Sequence, residues 1–144
     1  MKCEIVIDKA CEPKVVVYAY EHSPVIDDIK HYVENCDNEI IGYSDTQAVK
    51  LNLYDIYCIS IINGKVFAIC KEQKFLLKTR LFSLEEILPQ NFVKINQSCI
   101  ANINKIDRFD VSLSASLMIY FKNGYSDYVS RRQLKNVKER LKIK

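Results

Sequence analysis

Two Asn-Gly dipeptides constrain the fold of this chain more than any other local feature. Asn63-Gly64 lies between the apolar stretches IYCISII and KVFAIC, and Asn123-Gly124 lies between SLMIYF and YSDYV. Asn and Gly tolerate the positive φ angles that tight turns require, and such turns connect the strands of β-hairpins. The chain has only 3 Gly, and two of them stand at these turns. The sequence therefore predicts two antiparallel hairpins.

The spacing of apolar residues predicts the other elements. Strands are predicted over CEIVID (3–8), KVVVYAY (14–20), NEIIGYS (38–44), VKLNL (49–53) and KFLLK (74–78). Helical spacing predicts an amphipathic helix over 24–36 and a short helix over 81–88 that Pro89 ends. It also predicts a C-terminal helix with a narrow apolar stripe at Leu134, Val137 and Leu141. The pattern indicates a mainly β fold with short helices, of the α+β class.

The helix starts are predicted from residues that cap free backbone N–H groups. Ser or Thr at the N-cap accepts a hydrogen bond from the first turn, and Glu or Gln three residues later completes a capping box. Proline suits the first helical position. The candidate caps are Ser23 before Pro24, Ser83 with Glu86 (or Thr79 for a longer helix), and Ser130 with Gln133.

Charge is distributed unevenly along the chain. Residues 1–45 hold four Lys against ten Asp or Glu, a net charge of −6. Residues 46–144 hold 17 basic and 8 acidic residues, a net charge of +9. This asymmetry predicts an acidic N-terminal strand–strand–helix extension over 1–45 and a body over 46–144 that faces a polyanion. A solvated basic helix end is the alternative explanation of the basic C-terminus.

The composition argues against several classes of protein. The six Cys are scattered without a Cys-x-x-Cys pair and there are only two His, so buried reduced thiols are predicted rather than a zinc site. No Gly-rich phosphate loop and no nucleophile–histidine motif is present, so neither an enzyme nor a cofactor is predicted. No apolar run approaches the roughly 18 residues of a membrane span. The N-terminus lacks a signal-peptide core, and we expect a cytosolic protein.

The stretch FVKINQSCIANINKI, residues 92–106, carries the clearest functional signal. It begins with strand-like alternation, breaks at Asn96, Gln97 and Ser98, and then resumes an apolar pattern. Loops more often contain Gly, Pro or Asp. Asn and Gln carry paired donors and acceptors, which are the groups that read the base edges of DNA.

Three blocks of residues 46–144 resemble the LytTR family of bacterial DNA-binding domains. The blocks are LFSLEEILPQNF, the stretch 92–106, and KNGYSDYVSRRQLKNVKERL (122–141), at the family's spacing. Many members have Arg where this chain has Lys94, His-Arg at positions 96–97, and Val where it has Ala101. The difference at Asn96-Gln97 removes a potential positive charge, so it bears on the recognised DNA sequence and the affinity for DNA rather than on the fold. The resemblance implies an elongated, mostly antiparallel β fold that meets DNA through loops.

The resemblance also implies which residues contact DNA. Asn96, Gln97 and Ser98 would enter a major groove, and Arg131 would contact a base. The remaining implied contacts, mostly to phosphates, come from Lys65, Lys94, Arg132, Lys135 and Lys138. Several alternatives stay open: Ser98 caps a helical turn, Asn102 satisfies buried backbone, and the tip at Lys65 is an ordinary surface turn. A purely structural role also stays open for Asn96 and for Gln97.

Double-stranded DNA is the expected partner, and a homodimer on two half-sites is an assembly that would supply specificity. Residues 1–45 are too short for the receiver domain found in many family members, so the chain resembles stand-alone LytTR regulators. Genes of that subgroup often lie beside one for a small multi-pass membrane protein, which the resemblance implies as a further partner. The competing interpretation is a protein-interaction module whose β body has lost DNA binding and whose acidic extension docks a membrane or regulatory partner.

Overall fold

The computed structural model describes residues 1–35, 39–111 and 117–142, which form ten strands and three α-helices. In chain order these are α1 (Pro24–Asn35), β1 (Glu39–Ser44), β2 (Gln47–Asn52), β3 (Cys58–Ile62), β4 (Lys65–Ile69), β5 (Lys74–Leu77), α2 (Leu81–Ile87), β6 (Phe92–Asn96), β7 (Cys99–Asn102), β8 (Ile106–Asp110), β9 (Leu117–Phe121), β10 (Ser126–Val129) and α3 (Arg131–Leu141). Short 3-10 turns cover Leu53–Asp55 and Ile103–Lys105. In these ranges no helix has the length and apolarity to cross a membrane.

The strands form two antiparallel sheets. The larger has seven strands in the order β2-β1-β5-β4-β3-β7-β6, and the smaller has three in the order β10-β9-β8. Each observed pairing is antiparallel. The prediction of a mainly β fold with short helices is confirmed.

Both faces of the larger sheet are buried, each by different elements. Alternate side chains of a strand point to opposite faces, so Cys58 and Ile59 of β3 enter different cores. One core includes residues of the smaller sheet and of α3, among them Ile119 and Val137. The other includes Leu81 and Leu84 of α2. The smaller sheet and α3 therefore cover one face, and α2 covers the other.

The two predicted hairpins are confirmed, but their turns differ. Asn63 has φ 51° and Gly64 has φ 77°, the pair of positive angles that a two-residue type I′ turn needs. At the second hairpin only Gly124 has positive φ, at 88°. There Asn123 accepts a hydrogen bond at Oδ1 from the Tyr125 N–H and donates from Nδ2 to the Cys70 carbonyl. Asn123 thus connects a longer turn to the larger sheet.

Gly42 is required by a close approach within the larger sheet. A Cβ at this position would lie 2.5 Å from Leu51 Cδ1 and 2.7 Å from Phe75 Cβ. Leu51 is on β2 and Phe75 is on β5, the two neighbours of β1 in the sheet. The missing side chain therefore leaves room for core residues of both neighbouring strands.

The predicted helices are present, but the predicted capping bonds are not all made. α1 begins at Pro24 and places Tyr32 edge-to-face against Tyr54, with ring centroids 5.2 Å apart. α3 begins after Ser130 as predicted, although the Ser130 side chain makes no capping bond. For α2 the predicted caps at Ser83 or Thr79 are wrong, because the N-cap residue is Arg80 and makes no side-chain bond.

The strands predicted over 3–8 and 14–20 are absent from the structure, so this prediction is wrong for the single chain. Residues 1–22 contain no strand, and their apolar side chains are exposed. A strand requires a neighbour that pairs with its N–H and C=O groups, and local β-propensity cannot replace that neighbour. Of the predicted strand–strand–helix extension, only the helix α1 forms.

The predicted boundary between residues 45 and 46 falls in the turn between β1 and β2. These strands pair over six positions, from Glu39 with Asn52 to Ser44 with Gln47. β1 also pairs with β5. Residues 39–44 are thus part of the larger sheet, and the division of the chain at this point stays a prediction.

Candidate nucleic-acid interface

Two hairpin turns emerge side by side from the larger sheet. The β3–β4 turn is at residues 63–64, and the β6–β7 turn is at residues 97–98. β3 and β7 are neighbours, and the Ile61 N–H donates to the Ser98 carbonyl at 2.8 Å. This bond extends the pairing up to the turns and fixes their separation. Lys65, Gln97 and Ser98 are exposed there.

The start of α3 lies at the same end of the molecule. The Ser130 N–H, directly before the helix, donates to the Ile95 carbonyl of β6 at 2.8 Å. β6 leads into the turn at 97–98, so the helix start is placed beside that turn. We call the surface formed by residues 63–65, 97–98 and 130–132 the turn end.

Asn96 connects the β6–β7 turn to β10. Its Nδ2 donates to the Tyr128 carbonyl at 2.8 Å and to Asp127 Oδ1 at 3.1 Å. Its Oδ1 accepts from the Ser98 N–H at 2.8 Å. A bulge between Lys94 and Asn96 shifts the register of β6 and redirects the Asn96 side chain.

This geometry disagrees with the predicted DNA contact by Asn96. The residue is 2% exposed and uses both functional groups of its amide within the protein. Gln97 and Ser98, in contrast, are exposed. The polar run that looked uniform in the sequence contains one buried residue and two surface residues.

The first turn of α3 concentrates positive charge where a helix disfavours it. Arg131 and Arg132 are both exposed, and no acidic residue stands in this turn. The N-terminus of a helix carries free N–H groups and a partial positive charge. Because Ser130 provides no side-chain cap, these groups and the two guanidinium groups form a site suited to an anion.

The other predicted contact residues lie further from the turn end. Lys135 is exposed and Lys138 is half-buried, one and two turns along α3 from its start. Lys94 lies within β6, and its Nζ is 3.7 Å from Glu85 Oε2 of α2. Its side chain is 27% exposed, so this ion pair holds Lys94 on the α2 face. The structure therefore does not bring Lys94 to the turn.

Asn102 has the structural role that was left open for it. It is 1% exposed, and its Nδ2 donates to the Ile56 carbonyl at 2.8 Å. Its Oδ1 accepts from Asn91 Nδ2 and from the Asn104 N–H. Asn102 pairs with Phe92 at the end of β6 and β7 opposite the turn. It therefore stabilises the far end of the same hairpin.

Two basic residues near the 63–65 tip were not predicted from the sequence. Val66 of β4 pairs with Leu77 of β5, so the chain leaves β5 next to the 63–65 tip. Lys78 follows directly and Arg80 precedes α2, and both are exposed. The Lys78 Nζ lies 4.1 Å from the centroid of the Tyr43 ring on β1, the neighbour of β5 on the side away from the tip. The signal that places them is the register of β4 and β5, which spacing along the chain does not give.

Comparison with known proteins matches the part of the chain that contains the turn end. A family model described as the LytTr DNA-binding domain matches residues 46–142. An uncharacterised HTH-type transcriptional regulator of Staphylococcus aureus strain NCTC 8325 is 36% identical over 128 residues, covering 85% of this chain and 87% of that protein. A regulator of the same description from the bovine strain RF122 is 35% identical over 128 residues, with the same coverage. This similarity covers more of the chain than the family model does.

The fold also matches a solved structure. A LytTr DNA-binding domain from Bacillus cereus superposes with a TM-score of 0.67 at 17% sequence identity. The match covers 70% of this chain and 94% of that chain. At this identity the likeness shows the fold alone.

Proposed function

We propose that this chain, which belongs to the LytTR family of DNA-binding transcriptional regulators, reads the major groove of double-stranded DNA with its turn end. The observation that carries the proposal is the convergence of three exposed segments distant in sequence. Hydrogen bonds from Ile61 to Ser98 and from Ser130 to Ile95 hold the segments together. The family membership points to a non-enzymatic protein.

Gln97 is the proposed base reader of the β6–β7 turn. It is exposed at a turn whose two strands are both buried in the cores. Its amide presents a donor and an acceptor together, which matches the major-groove edge of adenine. Ser98 is exposed beside it and offers a hydroxyl to a base or a phosphate. The pairing of β6 with β7 and the bond from the Ser98 N–H to Asn96 Oδ1 hold the backbone of the turn that carries these two side chains.

The start of α3 is proposed to bind the DNA backbone and one base. A phosphate at the helix N-terminus would accept from free N–H groups and offset the charge of Arg131 and Arg132. Arg131, the first residue of the helix, is the proposed guanine reader. Arg132, Lys135 and Lys138 are proposed to position the protein on phosphates, and Lys65 is proposed to do so from the neighbouring tip.

Asn96 and Lys94 are proposed to act on DNA binding indirectly. Asn96 joins Ser98, Asp127 and Tyr128, so it fixes the turn relative to the strand that precedes α3. Lys94 contacts Glu85 and supports the packing of α2 against β6. Both residues therefore position the groups that would contact the base pairs.

The proposed setting is the bacterial cytosol, with binding to two half-sites one or two helical turns apart. A single small domain contacts few base pairs, so two copies supply the specificity that a promoter requires. A small multi-pass membrane regulator encoded nearby is a further proposed partner of the acidic extension. What supports it is the net charge of −6 over residues 1–45 and the staphylococcal similarity extending beyond the DNA-binding domain.

The proposal is tested by measuring affinities for a selected site and for scrambled duplexes. Gln97→Ala and Arg131→Ala should each weaken binding to the selected site by about 1–3 kcal/mol and flatten the preference at one base position. Lys138→Ala is the matched control on α3. It should weaken selected and scrambled DNA alike and reduce the salt slope by roughly one contact.

The two outcomes are distinct. If Gln97→Ala and Arg131→Ala lower affinity equally on both kinds of duplex, neither residue reads bases. The protein would then still bind DNA, but through contacts to the phosphate backbone. The assignment of the turn end as a base-reading surface would be wrong.

A further inference from the structure

We propose that residues 14–20 pair with the same residues of a second copy, forming an antiparallel β-ribbon about a two-fold axis at Val17. The ribbon makes the protein a homodimer in the absence of DNA. This inference does not rest on the proposed DNA contacts, because it concerns a different part of the chain. It explains why strand-forming sequence lies exposed in a single copy.

The N-terminal segment exposes an unusual amount of apolar surface. Tyr18 is 93% exposed, Ile7 is 84% exposed and Ile5 is 81% exposed. Contiguous apolar surface of this kind marks a surface that another chain covers. The exposed large apolar side chains between residues 5 and 20 are Ile5, Val6, Ile7, Val15, Val16, Val17, Tyr18 and Tyr20.

The sequence of residues 14–20 is complementary to itself. In a two-fold antiparallel pair the residue on the axis faces its own counterpart. With Val17 on the axis, Val16 faces Tyr18 of the second copy, and Lys14 faces Tyr20 of the second copy. Val–Tyr is a favourable cross-strand pair, and Lys–Tyr provides a cation–π contact. Each of these pairs occurs twice by symmetry, and no like charges face one another.

Neighbouring registers are less favourable. An axis at Tyr18 places Val15 opposite Glu21 and Lys14 opposite His22, which pairs an aliphatic side chain with a carboxylate. An axis at Val16 brings Pro13 into the ladder opposite Ala19, where proline has no N–H to donate. The two-fold pairing therefore selects Val17.

Residues 3–7 of each copy can add one further strand to each edge of the ribbon. A turn closes between residues 8 and 11, where the Cys11 N–H donates to the Asp8 carbonyl at 3.2 Å and the Ala10 N–H donates to Asp8 Oδ1 at 3.0 Å. This turn lies between residues 3–7 and 14–20, where the chain has to reverse for both segments to join the ribbon. Two strands from each copy give a four-stranded sheet, whereas a two-stranded hairpin alone is marginal in water.

The helix after the ribbon segment packs away from the turn end. Residue 20 lies four residues before α1, and α1 contacts Tyr54 through Tyr32. The Asn102 N–H donates to the Tyr57 carbonyl, so this region adjoins the end of β7 opposite the β6–β7 turn. The helix that follows the ribbon segment therefore packs near the end of the hairpin opposite the turn end.

The first test measures the mass of the full chain in solution without DNA, by analytical ultracentrifugation. The wild-type protein should sediment as a dimer. Val17→Lys places two ammonium groups across the axis and should raise the dimer dissociation constant by about a hundredfold or more. Phe82→Lys removes an exposed apolar side chain of α2, 70% exposed against 38% for Val17, and should leave the dimer unchanged.

The second test measures the register in a background lacking Cys3, Cys11 and Cys36. Residues facing each other in an antiparallel pair have Cα atoms about 4.5–5.5 Å apart, within the span of a disulfide. Val17→Cys should therefore oxidise rapidly to a covalent dimer, and Phe82→Cys should not. Circular dichroism of each variant confirms that the chain is folded.

Three results would overturn the proposal. They are a monomeric wild-type chain, a Val17→Lys variant that remains dimeric, and a Phe82→Lys variant that becomes monomeric. Each of them leaves the Gln97 and Arg131 measurements on DNA intact, so failure of the dimer and failure of the DNA assignment are distinguishable.

Discussion

Replacement of Asn96 by alanine tests whether this residue positions the turn at 97–98 or itself reads DNA bases. The side chain is 2% exposed and makes three hydrogen bonds, one of them to the Asp127 carboxylate. Each neutral bond contributes about 0.5–1.5 kcal/mol net, and a bond to a charged group contributes about 1.5–3 kcal/mol. Water can replace part of the bond to Asp127, which is only partly buried. We therefore expect Asn96→Ala to lower the free energy of unfolding by about 2–4 kcal/mol.

Asn102→Ala is the matched control. Asn102 is the same residue type, is 1% exposed, and makes three hydrogen bonds at the opposite end of the same hairpin. Its loss should lower the free energy of unfolding by a similar amount, about 2–4 kcal/mol. It should leave the affinity of the folded protein for DNA unchanged, because the turn at 97–98 keeps its connection to β10.

The assay combines urea denaturation, followed by circular dichroism, with DNA binding under conditions where each variant is folded. Asn96→Ala should lose an additional tenfold or more in DNA affinity, about 1.4 kcal/mol. If both variants bind DNA equally well, Asn96 does not position the turn. If Asn96→Ala retains wild-type stability and loses base preference alone, it reads DNA and the burial argument is wrong.

Three other predictions follow from the same structure. Gly42→Ala should lower the free energy of unfolding by about 1–3 kcal/mol in the same assay, since its Cβ would lie 2.5 Å from Leu51 Cδ1 and 2.7 Å from Phe75 Cβ. Cys70 should react slowly with iodoacetamide at pH 8 and faster as pH rises, because burial raises the pKa of its thiol to about 11 and only the thiolate reacts. Mass spectrometry should find the exposed Cys3 alkylated first. If about five phosphates are neutralised per copy, the logarithm of the DNA association constant should fall with the logarithm of salt concentration at a slope near roughly −4.5, and a salt-insensitive association would exclude DNA as the main partner.

Local sequence determined most of the secondary structure. The type I′ turn at 63–64 depends only on two residues that accept positive φ, and the helix over 131–141 follows its apolar spacing. The LytTR blocks also identified the β body and the exposed residues Gln97 and Arg131. These features depend on residues close together in the chain, so the sequence contains the information needed to predict them.

Tertiary structure alone decided which polar residues are available to a ligand. Asn96 and Gln97 are adjacent and chemically alike, but a bulge in β6 directs Asn96 toward β10, about thirty residues away. Lys78 and Arg80 follow β5 near the 63–65 tip only because of the register of β4 and β5, and the Lys78 Nζ contacts the Tyr43 ring of β1. No property of these residues taken singly indicates which partners they meet.

The N-terminal segment shows that strand formation also depends on tertiary structure. Residues 3–8 and 14–20 have strong β character, yet residues 1–22 contain no strand. β4 and β5 have comparable local character and form strands because each has a neighbour that accepts and donates hydrogen bonds. A helix satisfies its backbone within the segment, so its sequence nearly suffices to predict it. A strand satisfies its backbone through another segment, so its formation depends on what the rest of the fold, or a second copy, places beside it.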